Sequence, residues 1–378
     1  MKILHVADTH LGYSAYRKIT EEGVNQREID VFNAFQQFID YALKIKPDLI
    51  LHSGDLFDSV RPNNRAITFA LKQILRISKQ NIPIVIIAGN HEHPKLKETG
   101  HIFSIFDHID NVFPIYNEKY ERIPFTINSK EIMIHAISQC ISKDDFNVNL
   151  KKLKPDQSSD YNIFMAHGAV KGIKEFSMNE FNELFIPAKL LESDFDFIAL
   201  GHYHKYSKIT NNAYYSGSTE NLTFADAGEK KGFIELDFND SLKHRFIPLK
   251  TRPMIQPELI KCNNLNIDQV MKKIKEKITE IQPKGKIFRV ILKDISSIVY
   301  RNIDFKEIRK LCNEAVHFEI KTDTIDDEQS TLFNESKIDS LSNEFVKFLK
   351  NQKVDDKEKI LKLGMEYIQK IESREEAT

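Results

Sequence analysis

MKILHVADTHLG, residues 1–12, is an apolar strand over residues 2–6 that stops and delivers Asp8 and His10 two residues apart. Strand side chains alternate between faces, but the turn beyond the strand's end can aim both into one crevice. A carboxylate oxygen and an imidazole nitrogen placed that way suit a borderline divalent cation. Four later stretches repeat the pattern. DLILH (48–52) runs into SGDLFD (53–58), PIVIIA (83–88) into GNHEHP (89–94), YNIFMA (161–166) into His167-Gly168, and residues 197–200 into Gly201-His202-Tyr203-His204.

Helical patterns separate the first three strands. Ile29, Phe32, Phe35, Ile39 and Leu43 recur at helical spacing behind Asn25, with Glu28 placed as in a capping box. Residues 64–79 form the second helical stretch. This β-α-β-α-β order predicts a right-handed, mostly parallel sheet with helices on its faces and ligands beyond the strands' carboxyl ends. Further on, residues 132–136 read as a strand and 143–159 as a polar, Lys-rich connection. A hairpin-like stretch, 214–217 to 232–238, is expected to close the first domain.

From residue 260 the pattern changes to a small α/β unit: helix 268–281, strand 287–292, helix 304–311 and strand 317–320. Residues 322–330, with Asp323, Asp326, Asp327 and Glu328, read as a linker. Two amphipathic helices follow, 336–350 and 356–372. So short a hairpin has little core of its own and is expected to dock on something.

The 378 residues allow two or three domains and a sizeable core, and the 41% apolar share is ordinary for a soluble protein. No apolar run is long enough to span a membrane, and the three dispersed cysteines give neither a disulfide framework nor a zinc pattern. A reducing, cytoplasmic location is expected. With 54 Lys and Arg against 55 Asp and Glu, the net charge of −1 neither supports nor excludes a nucleic-acid partner.

Collected, the residues at the strand ends are Asp8, His10, Asp55, Asn90, His91, His167, His202 and His204. This palette, without thiolate, suits Mn²⁺, Fe²⁺ or Zn²⁺ better than Mg²⁺ or a structural zinc. It is too large for one tetrahedral ion and fits two ions about 3.5–4 Å apart that share a carboxylate, an arrangement that clamps phosphoryl displacement. His5 and His52, inside strands, read as structural, and His93, before Pro94, as loop architecture.

D-x-H, G-D-x-x-D, G-N-H-E, H-G and G-H-x-H in this order resemble the calcineurin-like metallophosphoesterases over residues 1–240. Within that superfamily, ADTHLGY, HSGDLFDSVRP, AGNHE and SGSTE look like the archaeal double-strand-break repair nucleases of the SbcD type. The resemblance implies an α/β two-sheet sandwich flanked by helices. It further implies a nuclease domain (1–250), a capping or DNA-binding domain (258–322), a linker (323–333) and a helical tail (334–378) that grips the coiled coil of an ABC-type ATPase.

By the same resemblance, Asp8, His10 and His204 would hold one Mn²⁺, Asn90, His167 and His202 a second, and Asp55 both. His91 would be the acid facing the scissile phosphate, with Arg61, Ser216 and Ser218 near the phosphate. The implied activity is single-strand endonuclease and 3′→5′ double-strand exonuclease on broken DNA, in a homodimer.

Two positions depart from the common nuclease motifs: Asp58 stands where many members have His, and Glu92 where many have Asp. Asp58 is expected to accept a hydrogen bond from His91 and fix its tautomer. Arg17, Arg61, Arg65, Lys95, Lys97, Lys171 and Lys174 are candidate DNA contacts. The alternative, with the same ions, is a phosphatase or cyclic-nucleotide phosphodiesterase acting on a small phosphoester.

Overall fold

The computed structural model describes residues 1–171, 183–238 and 242–324, with isolated residues between 345 and 365. Most of the two expected tail helices, most of the linker and Lys174 lie outside the described residues.

The N-terminal region carries the strands β1 (Lys2–Val6), β2 (Leu49–Ser53), β3 (Ile84–Ile87), β4 (Val112–Ile115), β5 (Tyr120–Ile127), β6 (Lys130–Ile137) and β7 (Tyr161–His167). It continues with β8 (Ala169–Lys171), β9 (Phe185–Pro187), β10 (Phe197–Gly201), β11 (Ser207–Lys208), β12 (Ala213–Tyr215), β13 (Gly232–Phe238) and β14 (Leu242–Pro248). Helices α1 (Gln26–Ile45), α2 (Asn64–Ser78) and α3 (Lys143–Lys152) lie between them.

Two six-stranded sheets result, ordered β14-β13-β1-β2-β3-β4 and β11-β12-β10-β7-β6-β5. β1 to β4 pair in parallel, as the β-α-β-α-β order predicts. In the second sheet, β6, β7, β10 and β12 are parallel.

Period-two alternation decides which layer each strand residue joins. Ile3, Leu49, Leu51, Val85 and Ile87 pack against Ile134, Ile163, Met165, Phe197 and Ala199 of the facing sheet. Their alternates Leu4, Val6, Ile50, Ile84 and Ile86 pack with Val31, Phe35, Phe38, Ile74 and Ile77 of α1 and α2. On the far side, Phe164, Ile198 and Leu200 meet Phe146 and Leu150 of α3. The central strands β1, β2, β3, β7 and β10 are buried on both faces, which is why they read as unbroken apolar runs.

Three local readings need correction. Asn25 caps α1 by accepting from the Arg27 N–H, but Glu28 does not reach back to complete a capping box; its carboxylate holds Arg65 at 3.0 Å and Asn63 at 3.0 Å. The polar stretch 143–159 opens with α3, capped by Ser142 and dipole-matched by Asp144 and Asp145 in its first turn. Only Phe146, Asn149 and Leu150 of that helix are buried, too short an apolar stripe to register as helical periodicity. Finally, 214–217 and 232–238 do not form a hairpin. Tyr214 pairs in the second sheet, opposite Ala199, whereas Leu236 pairs in the first, opposite Ile3. The partner of β13 is β14, an edge strand whose mostly exposed residues carry little apolar signal.

The remaining elements are β15 (Met254–Ile255), β16 (Ile260–Lys261), α4 (Ile267–Ile281), β17 (Ile287–Ile295), α5 (Ser297–Arg301), α6 (Phe305–Leu311) and β18 (His317–Thr324). The chain divides into two compact units, one of Met1–Leu259, Lys272–Ile291 and Asp304–Lys321, the other of Ile260–Met271, Leu292–Ile303 and Thr322–Thr378. In the first, Met254 pairs with Ile287, the Tyr16 ring stacks on His317 with centroids 3.8 Å apart, and Arg252 joins Asp30 of α1 to the Gly285 carbonyl. In the second, Ile260 pairs with Leu292 and Ser296 caps α5.

Candidate metal centre

Each motif loop begins where a parallel strand ends, and the ends of β1, β2, β7 and β10 converge. The Asp8 N–H donates to the Gly54 carbonyl (3.0 Å), and the His202 N–H donates to the Asp8 carboxylate (2.9 Å). Asp8, His10 and Asp55 hold left-handed backbone, with φ of 52°, 45° and 53°, and His202 has φ of 101°. Such conformations cost about 1–3 kcal/mol each for residues with a Cβ and cluster where function over-determines them. Two glycines make room. A Cβ on Gly54 would lie 2.2 Å from His167 Nδ1, and one on Gly89 would lie 2.2 Å from Asp55 Oδ1.

The side chains gather as the motifs predict. Ligand atoms of Asp8, His10 and His204 lie within 4.8 Å of one another, as do those of Asp8, Asp55 and His167, and those of His10, Asp55 and His91. Asp55 Oδ2 lies 3.3 Å from His167 Nε2 and 3.7 Å from His10 Nε2, between the two groups. Asn90 Oδ1 lies 2.9 Å from His167 Nε2 and 3.2 Å from His202 Nδ1.

Tautomers follow from the acceptors around the rim. Carboxylates and carbonyls only accept, so His10 donates from Nδ1 to Asp58 Oδ1 (3.1 Å) and His167 from Nδ1 to the Ser53 carbonyl (2.9 Å). His202 donates from Nε2 to Glu183 Oε1 (2.8 Å). The opposite nitrogens of all three rings therefore face inward, toward the oxygens of Asp8, Asp55 and Asn90. His10 Nε2 also stands 3.3 Å from His204 Nε2. An inward-facing set of lone pairs this dense, almost entirely buried, is the coordination environment that divalent cations satisfy, and the donors fit a pair of them.

The electrostatics of the metal-free centre show how closely its charges are coupled. Burial works against a charged Asp55, yet His167, His91 and His10 hold its carboxyl well below the usual range. Burial likewise disfavours a charged His167, but Asp55 and Asp8 push its imidazole up to about 9. Asp8 is raised, chiefly by burial, and His204 is driven well below its ordinary value by burial, His10 and Lys231.

His91 is about a third exposed and lines a surface cleft together with Asn90 and Gln139. Its Nδ1 lies 3.1 Å from the Asp58 backbone carbonyl and 3.8 Å from the Asp58 carboxylate. The orienting contact expected from the Asp58 side chain thus comes from its backbone, while the side chain serves His10. Ser216 and Ser218 are fully buried, and Ser218 Oγ donates to the carbonyls of His204 and Glu220. Ser218 thus braces the His204 loop, and Ser216 Oγ lies 3.2 Å from the Gly217 carbonyl. Arg61 is exposed, as are Arg17, Lys95 and Lys171, whereas Arg65 is committed to Glu28.

Glu92 is fully buried beneath the loops, accepting from the Gly89 N–H (2.9 Å), and burial beside Asp55 pushes its carboxyl up to about 8. His52 Nε2 lies 3.0 Å from Thr9 Oγ1, and His93 lies 3.5 Å from Glu118, both structural placements. Two residues went unread in the sequence. Lys231, buried, donates to the His204 carbonyl (2.7 Å) and pairs with Asp226 (2.6 Å); Glu183 backs His202. A lone Glu or Lys outside any motif carries no sequence signal for such a role.

The family model described as calcineurin-like phosphoesterase matches residues 1–206. The chain belongs to that family. Calcineurin-like phosphoesterases are metal-dependent hydrolases of phosphoesters, and the family implies a divalent metal pair where this cluster stands. Among curated relatives, "DNA double-strand break repair protein Mre11" of Sulfurisphaera tokodaii is 29% identical over 85% of this chain and 80% of its own length. The protein of the same name from Saccharolobus solfataricus is 28% identical over 99% of this chain and 96% of its own. A component of the nuclease SbcCD from Staphylococcus epidermidis is 28% identical over 73% of this chain and 76% of its own. The resemblance to repair nucleases of the SbcD type is therefore borne out.

Proposed function

We propose that this calcineurin-like phosphoesterase is a Mn²⁺-dependent DNA nuclease that processes broken ends, with single-strand endonuclease and 3′→5′ double-strand exonuclease activity. The observation carrying this reading is the reach of the likeness. The match to a double-strand-break repair protein runs over 99% of the chain, far beyond the 206 residues of the phosphoesterase segment. A small-phosphoester enzyme has no need of the additional α/β elements and tail.

In this reading Asp8, His10 and His204 hold one ion, Asn90, His167 and His202 the other, and Asp55 both. A bound ion pair offsets charge on the phosphate and makes water a competent nucleophile. The protein's own contribution is placement. Buried His10, His167 and His202 are fixed in one tautomer each, and His91, oriented through the Asp58 carbonyl, supplies a proton to the departing oxygen. Arg61 contacts the DNA backbone. Residues 258–322 cap the DNA, and residues 334–378 dock on an ABC-type coiled-coil ATPase, the whole acting as a homodimer in the cytoplasm.

One assay decides among the classes: purified protein with Mn²⁺ on single-stranded DNA, blunt duplex DNA and p-nitrophenyl phosphate esters. Cleavage of DNA supports the nuclease. Turnover of esters alone would assign the chain to small phosphoesters instead.

A further inference from the structure

We propose that the two ions are served by separate carboxylates acting through histidines: Asp58 through His10 for one, and Glu183 through His202 for the other. This rests on the paired-ion reading above but not on DNA as substrate. Asp58 Oδ1 lies 3.1 Å from His10 Nδ1, and Glu183 Oε1 lies 2.8 Å from His202 Nε2. Each carboxylate takes the ring N–H that points away from the centre, so the other nitrogen faces in, through Nε2 for His10 and through Nδ1 for His202. A carboxylate in that position raises ligand basicity and holds the ring's orientation.

The two ligand groups are otherwise built differently. His167 is backed by a neutral carbonyl, that of Ser53 at 2.9 Å, and the His204 Nδ1 is buried with no hydrogen-bond partner among the described residues. So each triad, Asp8-His10-His204 and Asn90-His167-His202, contains one histidine with an anionic backer. The backers also differ in setting: the Asp58 side chain is 29% exposed and Glu183 4%. Glu183 stands at the foot of β9, outside every metal-binding motif of the sequence, and it completes the second site from a separate part of the chain. Both are positioning residues: they touch ligands, not substrate.

The test is Mn²⁺ binding, by calorimetry and electron paramagnetic resonance, on the full chain without DNA. Wild type is expected to take up two ions and to show an exchange-coupled spectrum. Glu183→Gln should weaken one ion by about 10–100-fold and leave the other within twofold, giving an uncoupled six-line spectrum at intermediate Mn²⁺. Asp58→Asn should weaken the other ion by a similar factor. A cycle with the ligand itself separates this from loss of folding: if Glu183 acts through His202, adding Glu183→Gln to His202→Ala changes affinity no further. The apo-protein melting temperature provides the control for a general structural effect. Unchanged binding in Glu183→Gln, equal weakening of both ions, or full additivity with His202→Ala overturns the proposal while leaving the ion pair and the nuclease reading intact. A wild type that binds no divalent ion would overturn the ion pair as well.

Discussion

His91 and Gly89 sit two residues apart in one loop and make opposite demands on the centre. His91 faces the cleft with its ring about a third exposed, and its role needs no coordinated ion, only a fixed ring. His91→Asn is therefore expected to retain both ions while slowing single-turnover cleavage by about 10²–10⁴-fold, checked by rapid quench beside a metal titration. Gly89 touches no substrate, yet a Cβ there would come 2.2 Å from Asp55 Oδ1 and 2.5 Å from its backbone nitrogen. Gly89→Ala should fold, because the clash is local, and lose more than about tenfold in Mn²⁺ affinity, because Asp55 is the carboxylate between the two groups. At this scale the sequence was informative where residues sit in a motif: Asp8, His10, Asp55, Asn90, His167, His202 and His204 all converge. It was silent on which atom each neighbour offers. That Asp58 lends its carbonyl to His91 and its carboxylate to His10, or that Ser218 turns inward, depends on turn geometry with no pattern in residue type.

Strands β1 and β2 each bury a histidine, an uncommon choice that links folding to pH. Burial, reinforced by His52, lowers His5 to about 3, and burial lowers His52 to about 3, against an ordinary 6.5. Both are thus neutral when folded, whereas the unfolded chain takes up protons below pH 6.5. Their contribution is complete above that value and is lost as pH falls toward 3, by up to about 1.4 kcal/mol per pH unit for each imidazole. In guanidinium unfolding of the metal-free protein at pH 7.5, 6.5 and 5.5, His5→Leu should lose less stability than the wild type as pH falls, because Glu92 and His167, which titrate with the opposite sign, are common to both; an identical pH dependence in the variant would disprove the linkage through His5. The elements themselves were legible to the extent that one pattern dominated. β1, β2, β3, β7 and β10 are buried on both faces and announce themselves as apolar runs, while α1 and α2 bury a full stripe. α3 buries a single turn and β14 lies at an exposed edge, so neither had a pattern to read. Pairing partners were harder still, because β12 and β13 are similar in sequence character but enter different sheets.

For the whole molecule, a net charge of −1 means that DNA must be held by local cationic clusters rather than by overall attraction. Arg61, exposed just after Asp58, is placed to be one such contact. Arg61→Ala should weaken DNA binding evenly across sequences and reduce the slope of log affinity against log salt by about one. An unchanged slope would remove Arg61 from the DNA path. The tail makes a different demand. Among the described residues, those at the metal centre lie between Asp8 and His204, and the first compact unit ends at Lys321. One relative nonetheless matches over 99% of this chain, and under the proposed function residues 334–378 would serve docking rather than chemistry. A chain ending at residue 333 is expected to melt within a few degrees of the full protein, bind both ions and cleave DNA with Mn²⁺, yet fail to associate with the proposed coiled-coil ATPase in size-exclusion chromatography. Should the shortened chain instead unfold, the tail helices belong to the protein's own core and the docking role falls.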